Sequence, residues 1–470
     1  MTKRRDGKGF WNFIDDIEGD KVVWIIVFLL IIISVLAIFS STPLLLERGA
    51  SRMDIIKDHS IIVFIGLLVT IGLYKVPKIG WFRLFAKFGF LVSFLLLFLL
   101  DIHVDWGFIK AQNINQAWRT LSIFGFQLHV FEVVKVAMVM YLAWAMSAYK
   151  EDQENSRKRT KTRVAFRITD RLSLIPELEF LAKPVWKRII YLYIPIVVVF
   201  VMTILGSGSS AIFIAMVLVA TLLIGGVPFK DLFIGIIAGI AGLGLLIGIH
   251  LASNGNFIPR LGTVVNRFQA DYDTDDLGRL TPGTKEFYDA LDEIRQPYSA
   301  KIAVHEGKLL GKGSGNSTQK YVVSNIYGDY MFSFLLEEYG LIGGILVILL
   351  YVSLLARGSM IARLCSNEFA KISVGGLTVL ITGQAFMHMF VCVDIGPMTG
   401  QTLPLISHGA CAFLVFCIAF GIILSISRMA KKKIQEEEEA AIPLYESDRD
   451  DIQATMDVLE QLDNFEEDIS

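Results

Sequence analysis

The chain has 470 residues, of which 54% are hydrophobic and only 19% are charged, and its mean hydropathy is +0.55. Soluble globular proteins carry about 25% charged residues, so this composition argues against a soluble enzyme and indicates an integral membrane protein. The formal net charge of −2 gives no indication of a nucleic-acid partner.

A helix that crosses a bilayer needs about 20 mostly apolar residues. The sequence predicts an all-α polytopic membrane protein with ten transmembrane helices. The apolar stretches are 22–41, 60–77, 84–101, 130–148, 189–206, 210–226, 231–251, 330–355, 373–394 and 405–427. A tight turn, GSGSS, joins the fifth stretch to the sixth. No small-residue cleavage site follows the first stretch, so we expect it to be retained as a span.

Clustered Lys and Arg residues predict the orientation. They occur in the N-terminal tail (1–21), in the loop 149–188 and directly after the last span. Ten spans place all three on one side, so we expect both termini to be cytoplasmic. The membrane domain is then 22–427, and 428–470 is an acidic cytoplasmic tail. The basic loop is either a partner site or a topology determinant near anionic lipid, and its second half is expected to form an interfacial helix.

The longest extracytoplasmic connection is the loop 252–329, between the seventh and eighth spans. It shows no clear helical pattern, and loops of this length are usually functional or disordered. Near its end, the run GKGSGNSTQK (311–320) offers backbone amides, hydroxyls, Lys312 and Lys320. These groups suit a diphosphate or a sugar, and the alternative is a flexible loop.

Ionisable residues occur within the apolar stretches. Glu132 and Lys135 are three residues apart in the fourth span and share a helical face. Asp329, Glu337 and Glu338 lie at or just past the start of the eighth span. Charges at membrane depth are costly and are functional candidates, although a buried ion pair that locks the bundle is the alternative for Glu132 and Lys135.

The carboxylates outnumber Lys135, so the region needs an arginine, a protonated acid or a bound cation. Arg119 is the nearest arginine on the same face. Prolines and glycines also interrupt the sequence CVDIGPMTGQTLPLISHGACAFLVF (392–416). Broken backbone at membrane depth survives only when it is buried or lines a cavity, so we predict a re-entrant hairpin that faces the same cavity.

Three stretches carry a resemblance to a known family. They are Gln127 to Lys135, AKIAVHEGKLLGKGSGNSTQK with the following GDYMFSFLLEEYGLIGG, and PMTGQTLPLISHG. The chain resembles the SEDS proteins (shape, elongation, division and sporulation), which are peptidoglycan polymerases of bacteria. The wording TGQTLPLIS is more similar to the division branch, FtsW, than to the elongation branch, RodA. The wording GKGSGNSTQK is similar to versions from Bacteroidetes.

The resemblance implies an inverting glycosyltransferase that polymerises lipid II at the outer face of the cytoplasmic membrane, in the division septum. It implies that Asp329 is the general base. Positive side chains or a divalent cation, Mg²⁺ or Mn²⁺, would stabilise the diphosphate leaving group. The implied substrate-binding residues are Lys135, Glu132, Arg119, Lys312, Gln319, Lys320, Glu337, Glu338, Gly400 and Gln401. The implied partners are a class B penicillin-binding protein, the growing glycan strand and division proteins.

The chain departs from the family pattern at several positions. Val130 and Phe131 replace a proline and a serine, the GSGSSA turn lacks an acid, and His388 stands where an asparagine is expected. Two other readings stay open at this point. A lipid II transporter would carry charges into both leaflets. A non-catalytic division scaffold would not need Asp329.

Overall fold

The computed structural model describes residues 18–41, 52–114, 117–158, 167–230, 232–233, 284–323, 326–396 and 399–436, together with Gly244 and Gly248. The helices are α1 (Lys21–Ser41), α2 (Arg52–Tyr74), α3 (Ile79–Ala86), α4 (Gly89–Asp101), α5 (Val130–Lys158), α6 (Arg167–Leu172), α7 (Pro184–Gly206), α8 (Gly208–Ile224), α9 (Lys285–Gly307), α10 (Met331–Leu364), α11 (Glu368–Cys392) and α12 (Ala410–Glu436).

Seven helices in these ranges are long and apolar enough to cross a membrane. The bent pair α3–α4 would make an eighth, and α8 is a shorter apolar helix. Nine of the ten predicted stretches coincide with helices. The other stretch, 231–251, lies almost wholly outside the described residues, so the number ten stays a prediction.

Two helices continue well beyond their apolar windows. Helix α5 reaches Lys158, so the first ten residues of the predicted 149–188 loop are helical, and α12 reaches Glu436. The later part of that loop forms α6 and a 3₁₀ helix, Pro176–Ala182. Lys187 at the start of α7 pairs with Asp152 on α5 at 2.9 Å, which holds this segment against the bundle.

Part of the predicted loop 252–329 is helical. Helix α9 covers 23 residues and packs against α10, which the sequence analysis did not predict. Its apolar positions are too sparse to stand out from a long polar loop. Residues 252–283 lie outside the described ranges.

A small antiparallel sheet also departs from a purely helical fold. Its order is β1 (Ile109–Ile114), β2 (Ala117–Ile123) and β3 (Phe126–His129). Leu121 pairs with Leu128, and Thr120 pairs with His129. Helix α5 begins directly after β3, so the sheet lies over one end of the bundle. We call this the site end.

Helix α10 is broken at Gly340, whose φ of 69° and ψ of −170° are not helical. The segment before the glycine-rich run lies against this break, where Leu341 N donates to Lys308 O at 2.9 Å. Any Cβ added to Gly340 would lie 2.4 Å from Leu309 O. The first part of α10, which carries Glu337 and Glu338, is therefore a short helix that ends where the loop docks.

Candidate active site

Lys135 lies inside the bundle at the centre of the candidate site. Its Nζ donates three hydrogen bonds, each 2.7 Å long, to Glu132 Oε1, Gln384 Oε1 and Gln401 Oε1. An ammonium group has three N–H donors, so these acceptors occupy all of them. The lysine is 1% exposed, and a buried cation is stable only while its partners stay in place.

The irregular backbone between α11 and α12 supplies Gln401 to this site. Gln401 Nε2 donates to Ser210 Oγ at 3.1 Å, which ties the segment to α8. The preceding Gly400 has φ of +63°, and a Cβ there would lie 3.4 Å from Arg119 Nη1. The arginine on β2 therefore borders the same segment that binds Lys135.

His129, the last residue of β3, lies where the charged residues converge. Burial lowers the pKa of His129, and the largest electrostatic effect on it is the opposing one from Glu132. Arg119 and Lys135 lower the pKa further, and Asp329 raises it. Electrostatic effects fall off with distance, so the four charged groups that act on His129 lie in its neighbourhood at the site end.

Asp329 is half-buried in a turn just before α10. The backbone of this turn is fixed by the segment that leads into α12. Ser407 Oγ donates to Gly328 O, and His408 N donates to Tyr327 O, each at 2.8 Å. The aspartate is thus carried on a turn whose position depends on another part of the chain.

Glu337 is fully buried and anchors the glycine-rich run. Its carboxylate accepts hydrogen bonds from Lys312 Nζ at 2.8 Å, Ser317 Oγ at 2.5 Å and Thr318 N at 2.8 Å. A buried carboxylate with several donors is stable in its charged form. Its position folds residues 312–318 onto α10.

Glu338 joins the same run to α1. Its Oε1 accepts from Ser40 Oγ at 2.5 Å and from Gly315 N at 3.0 Å, and Lys320 Nζ lies 3.7 Å away. Lys320 also donates to Gly315 O at 2.6 Å. The amides and lysines of this run, predicted to bind a diphosphate or a sugar, bind the carboxylates of Glu337 and Glu338 in this structure.

Residues 20–432 match the sequence profile of the FtsW/RodA/SpoVE family, described as cell cycle proteins. The chain belongs to this family. This is the SEDS family indicated by the sequence motifs.

Relatives from both branches are similar over most of the chain. The peptidoglycan glycosyltransferase MrdB of Escherichia coli K12 is 25% identical over 434 residues, which is 91% of this chain and 97% of MrdB. The probable peptidoglycan glycosyltransferase FtsW of Enterococcus hirae is 27% identical, over 90% of this chain and 96% of that protein. The probable peptidoglycan glycosyltransferase FtsW of Hahella chejuensis is 35% identical, but only over 35% of this chain and 42% of its own length.

Two solved structures have the same fold. A chain from a peptidoglycan synthase complex that coordinates polymerization and crosslinking has a TM-score of 0.58 and 19% identity, and the match covers 88% of this chain and 98% of that chain. Thermus thermophilus RodA has a TM-score of 0.52 and 18% identity, with the same coverage. At these identities the likeness establishes the SEDS fold alone.

Within this SEDS fold, the predicted site residues form two groups. The first contains Arg119, Glu132, Lys135, Gly400 and Gln401, with Asp329 linked to it electrostatically. The second contains Lys312, Gln319, Lys320, Glu337 and Glu338, which hold the glycine-rich run on α10. The predicted pairing of Glu132 with Lys135 is present, whereas binding of lipid II by either group stays a prediction.

Sequence reasoning missed several residues of the first group. Gln384 and Ser210 bind directly to Lys135 or Gln401, and His129 lies among the charges. Gln384 could have been found, since it is a polar side chain within an apolar span. His129 and Ser210 carry no such signal because they lie in a connection and in a serine-rich turn.

The residues described by the structure contain no group of three His, Cys, Asp or Glu side chains placed to share a metal ion. One side-chain oxygen each of Glu132, Gln384 and Gln401 accepts from Lys135 instead. Binding of Mg²⁺ or Mn²⁺ therefore stays a prediction, and the mechanism proposed below assigns no step to a metal.

Proposed function

We propose that this SEDS protein polymerises lipid II into glycan strands at the outer face of the cytoplasmic membrane, with Asp329 as general base. The observation that carries the proposal is the placement of Asp329 on a half-buried turn that shares the neighbourhood of Arg119, Glu132 and Lys135. A base at the end of a helix bundle can reach both a membrane-anchored substrate and water. The glycosyltransferase names of relatives that match over nine-tenths of the chain agree with it.

In the proposed step, Asp329 takes the proton from the acceptor sugar hydroxyl. That oxygen attacks the anomeric carbon of the donor from the face opposite its diphosphate, so a C–O bond forms as the C–O bond to the diphosphate breaks. The configuration inverts, and the lipid diphosphate leaves with the electron pair. A general base needs hydrogen-bond reach to its proton, and a single carboxylate suffices for this inverting reaction.

The diphosphate requires positive charge, and Arg119 is the candidate in the first group. Lys135 already donates all three of its N–H groups, so it serves better to hold Glu132, Gln384 and Gln401 in place. Its charge still contributes to the local field without a direct bond to the substrate.

We also propose cytoplasmic termini, a division role and a class B penicillin-binding protein as partner. The basic residues near both termini support the orientation. The fold is shared with a chain from a complex that couples polymerization to crosslinking, which supports a crosslinking partner. The FtsW and MrdB relatives match about equally well, so the division role depends on the motif wording.

The test uses the purified protein, with and without its co-purified penicillin-binding protein, given lipid II and Mg²⁺ or Mn²⁺. We expect a glycan ladder from the wild type and none from Asp329→Asn, with partner binding unchanged. Asp394→Asn is a matched control, because Asp394 is also an aspartate at the site end, but it is exposed and paired with Lys301.

Glycan formation at the normal rate by Asp329→Asn would exclude the general-base role. If the wild type gave no ladder under any condition but moved lipid II across vesicles, the protein would be a transporter.

A further inference from the structure

His388 on α11 connects the start of α10, just after Asp329, to the segment that carries Gln401. Its Nε2 lies 3.3 Å from Phe332 N, and its Nδ1 lies 2.7 Å from Gln401 O. A backbone N–H donates, so Nε2 must be the acceptor. A carbonyl accepts, so Nδ1 must carry the proton. The two contacts together require the neutral Nδ1–H form of the ring.

The contact with Phe332 caps helix α10 from a neighbouring helix. The first N–H groups of a helix have no acceptor within the helix. Tyr330, the residue before α10, provides no side-chain cap. Nε2 of His388 therefore satisfies a donor that the local sequence leaves open, three residues after Asp329. This bond fixes the first turn of α10 and the direction from which Asp329 enters it.

The contact with Gln401 fixes the irregular segment between α11 and α12. The Gln401 side chain binds Lys135 and Ser210, and its carbonyl binds His388, so the residue is held at both ends. The preceding Gly400 has a positive φ, which glycine adopts without strain, so the backbone of this segment is not fixed by its own sterics. His388 fixes it from α11.

Cys392, one helical turn after His388, adds a weak third link. Its Sγ lies 3.4 Å from His388 Nε2 and 3.8 Å from Asp329 O. His388 itself is 1% exposed, so water does not replace either of its hydrogen bonds. Loss of the ring would leave the buried Phe332 N–H and Gln401 carbonyl without these partners.

We propose that His388 is a positioning residue for glycan polymerisation. Its Nδ1–H imidazole fixes the distance between the turn that carries Asp329 and the segment whose Gln401 binds Lys135. The ring itself touches no reacting atom. The role rests on the proposed function, because it is defined by what Asp329 and Gln401 do there.

Three substitutions separate the two hydrogen bonds. The amide of His388→Asn reaches the place of Nδ1 and keeps the donor to Gln401. The amide of His388→Gln reaches the place of Nε2 and keeps an acceptor for Phe332. His388→Leu has neither. We expect kcat for lipid II to fall by about 100-fold in the leucine variant and by about tenfold in each amide variant. KM is expected to stay nearly constant, since substrate contacts are retained.

His305→Gln is the matched control, because His305 lies on the exposed side of α9 and is expected to leave kcat unchanged. Thermal unfolding of each variant in detergent checks that it is folded. A folded leucine variant with wild-type kcat would overturn the proposal. So would a rise in KM with unchanged kcat, or amide variants that are no better than leucine.

A second readout does not depend on activity. Histidine-selective ¹⁵N NMR of the protein in nanodiscs, with His388→Asn to assign the signal, should show the Nδ1–H tautomer. A signal from an Nε2–H tautomer or an imidazolium would overturn the positioning role. If the wild type still made polymer, the proposed function would stand. A wild type that makes no polymer would instead overturn the proposed function, and this role with it.

Discussion

Glu132 and Lys135 form an asymmetric pair one turn apart on α5. Glu132 Oε1 accepts from Lys135 Nζ at 2.7 Å, whereas Glu132 Oε2 is buried without a hydrogen-bond partner among the residues that the structure describes. Buried acceptors without partners are rare and costly. The ion pair with Lys135 therefore satisfies only one of the two carboxylate oxygens of Glu132.

The first prediction concerns this pair. Lys135→Met should destabilise the protein by about 3–5 kcal/mol, because it leaves the charge of Glu132 buried and unpaired. The double variant Glu132→Gln/Lys135→Met should recover a substantial part of that loss, since it removes the second charge as well. Chemical unfolding in detergent measures both effects.

Lys371 and Glu368 provide the control, since they have the same i, i+3 spacing but are exposed. Lys371→Met should cost under about 1 kcal/mol. A double variant no more stable than Lys135→Met would show that the buried charge is not the cause.

The second prediction concerns the break in α10. Gly340→Ala should release the 308–313 segment, because alanine disfavours a φ of +69° and its Cβ would lie 2.4 Å from Leu309 O. We expect faster hydrogen exchange at Lys312 and Gly313, whose amides bind Glu337 O and Glu338 O.

Gly72 is the matched control. It lies within helix α2, and a Cβ there meets nothing within 4 Å. Gly72→Ala should leave exchange in the loop unchanged and stabilise α2 slightly, by up to about 1 kcal/mol. Equal exchange rates in the wild type and Gly340→Ala would contradict the packing described for the break.

The parts of the fold that could be predicted from the sequence are those that carry a local signal. Long apolar runs report directly on the membrane, so the spans and the turn after Gly206 could be predicted. The charged residues of α5 and α10 also stood out against apolar neighbours. These signals are local, and each can be read from about 20 residues.

The rest depends on contacts between distant residues. Lys135 meets Gln384 across 249 positions, and no spacing rule connects them. The break at Gly340 exists because the segment around Leu309 docks there. The same limit applies to Glu337 and Glu338, whose hydrogen bonds to residues 312–318 could not be predicted from the sequence, and their binding of substrate stays a prediction.

The third prediction is a pH dependence of the glycine-rich run. The hydrogen bond from Lys312 lowers the pKa of Glu306 below its usual value. Burial lowers the pKa of Lys312, but the bonds to Glu306 and Glu337 outweigh it, so that pKa is raised. Because the pKa of Glu306 is lowered on folding, its ionised form stabilises the folded run at pH values above the ordinary glutamate pKa. This contribution disappears as the pH falls through the lowered pKa.

Because the pKa of Lys312 is raised on folding, its charged form stabilises the run at pH values below the ordinary lysine pKa. That contribution disappears only at strongly alkaline pH.

The docked run should therefore be most protected between these limits and loosen on acidification below about pH 4.5. Hydrogen exchange at Thr318 N, which binds Glu337, follows the loosening. Glu306→Gln should remove part of the acid dependence, whereas Glu368→Gln, which alters an exposed pair with Lys150 on another part of the bundle, should not. If Glu306→Gln left the pH dependence of exchange at Thr318 N unchanged, Glu306 would not be a source of the acid sensitivity.

The fourth prediction concerns Asp20, which has two separable roles at the start of α1. Its Oδ1 accepts from Val22 N at 3.0 Å and Val23 N at 3.2 Å, which caps the helix. Its Oδ2 accepts from Arg357 Nε at 2.9 Å and Nη2 at 2.5 Å, which ties α1 to α10. Asparagine caps helices as well as aspartate does, so Asp20→Asn should lose only the charge pairing, whereas Asp20→Ala should lose both.

We expect Asp20→Ala to be less stable than Asp20→Asn by about 0.5–2 kcal/mol, the usual contribution of an N-cap. Chemical unfolding in detergent measures the difference. Asp105→Ala is the control, since Asp105 forms an exposed pair with Lys110 and should change stability by under about 1 kcal/mol. Equal stability of the two Asp20 variants would show that the cap contributes nothing. An Asp20→Asn variant as stable as the wild type would show the same for the pair with Arg357, and α1 would then be held to α10 by apolar packing and the Ser40–Glu338 hydrogen bond.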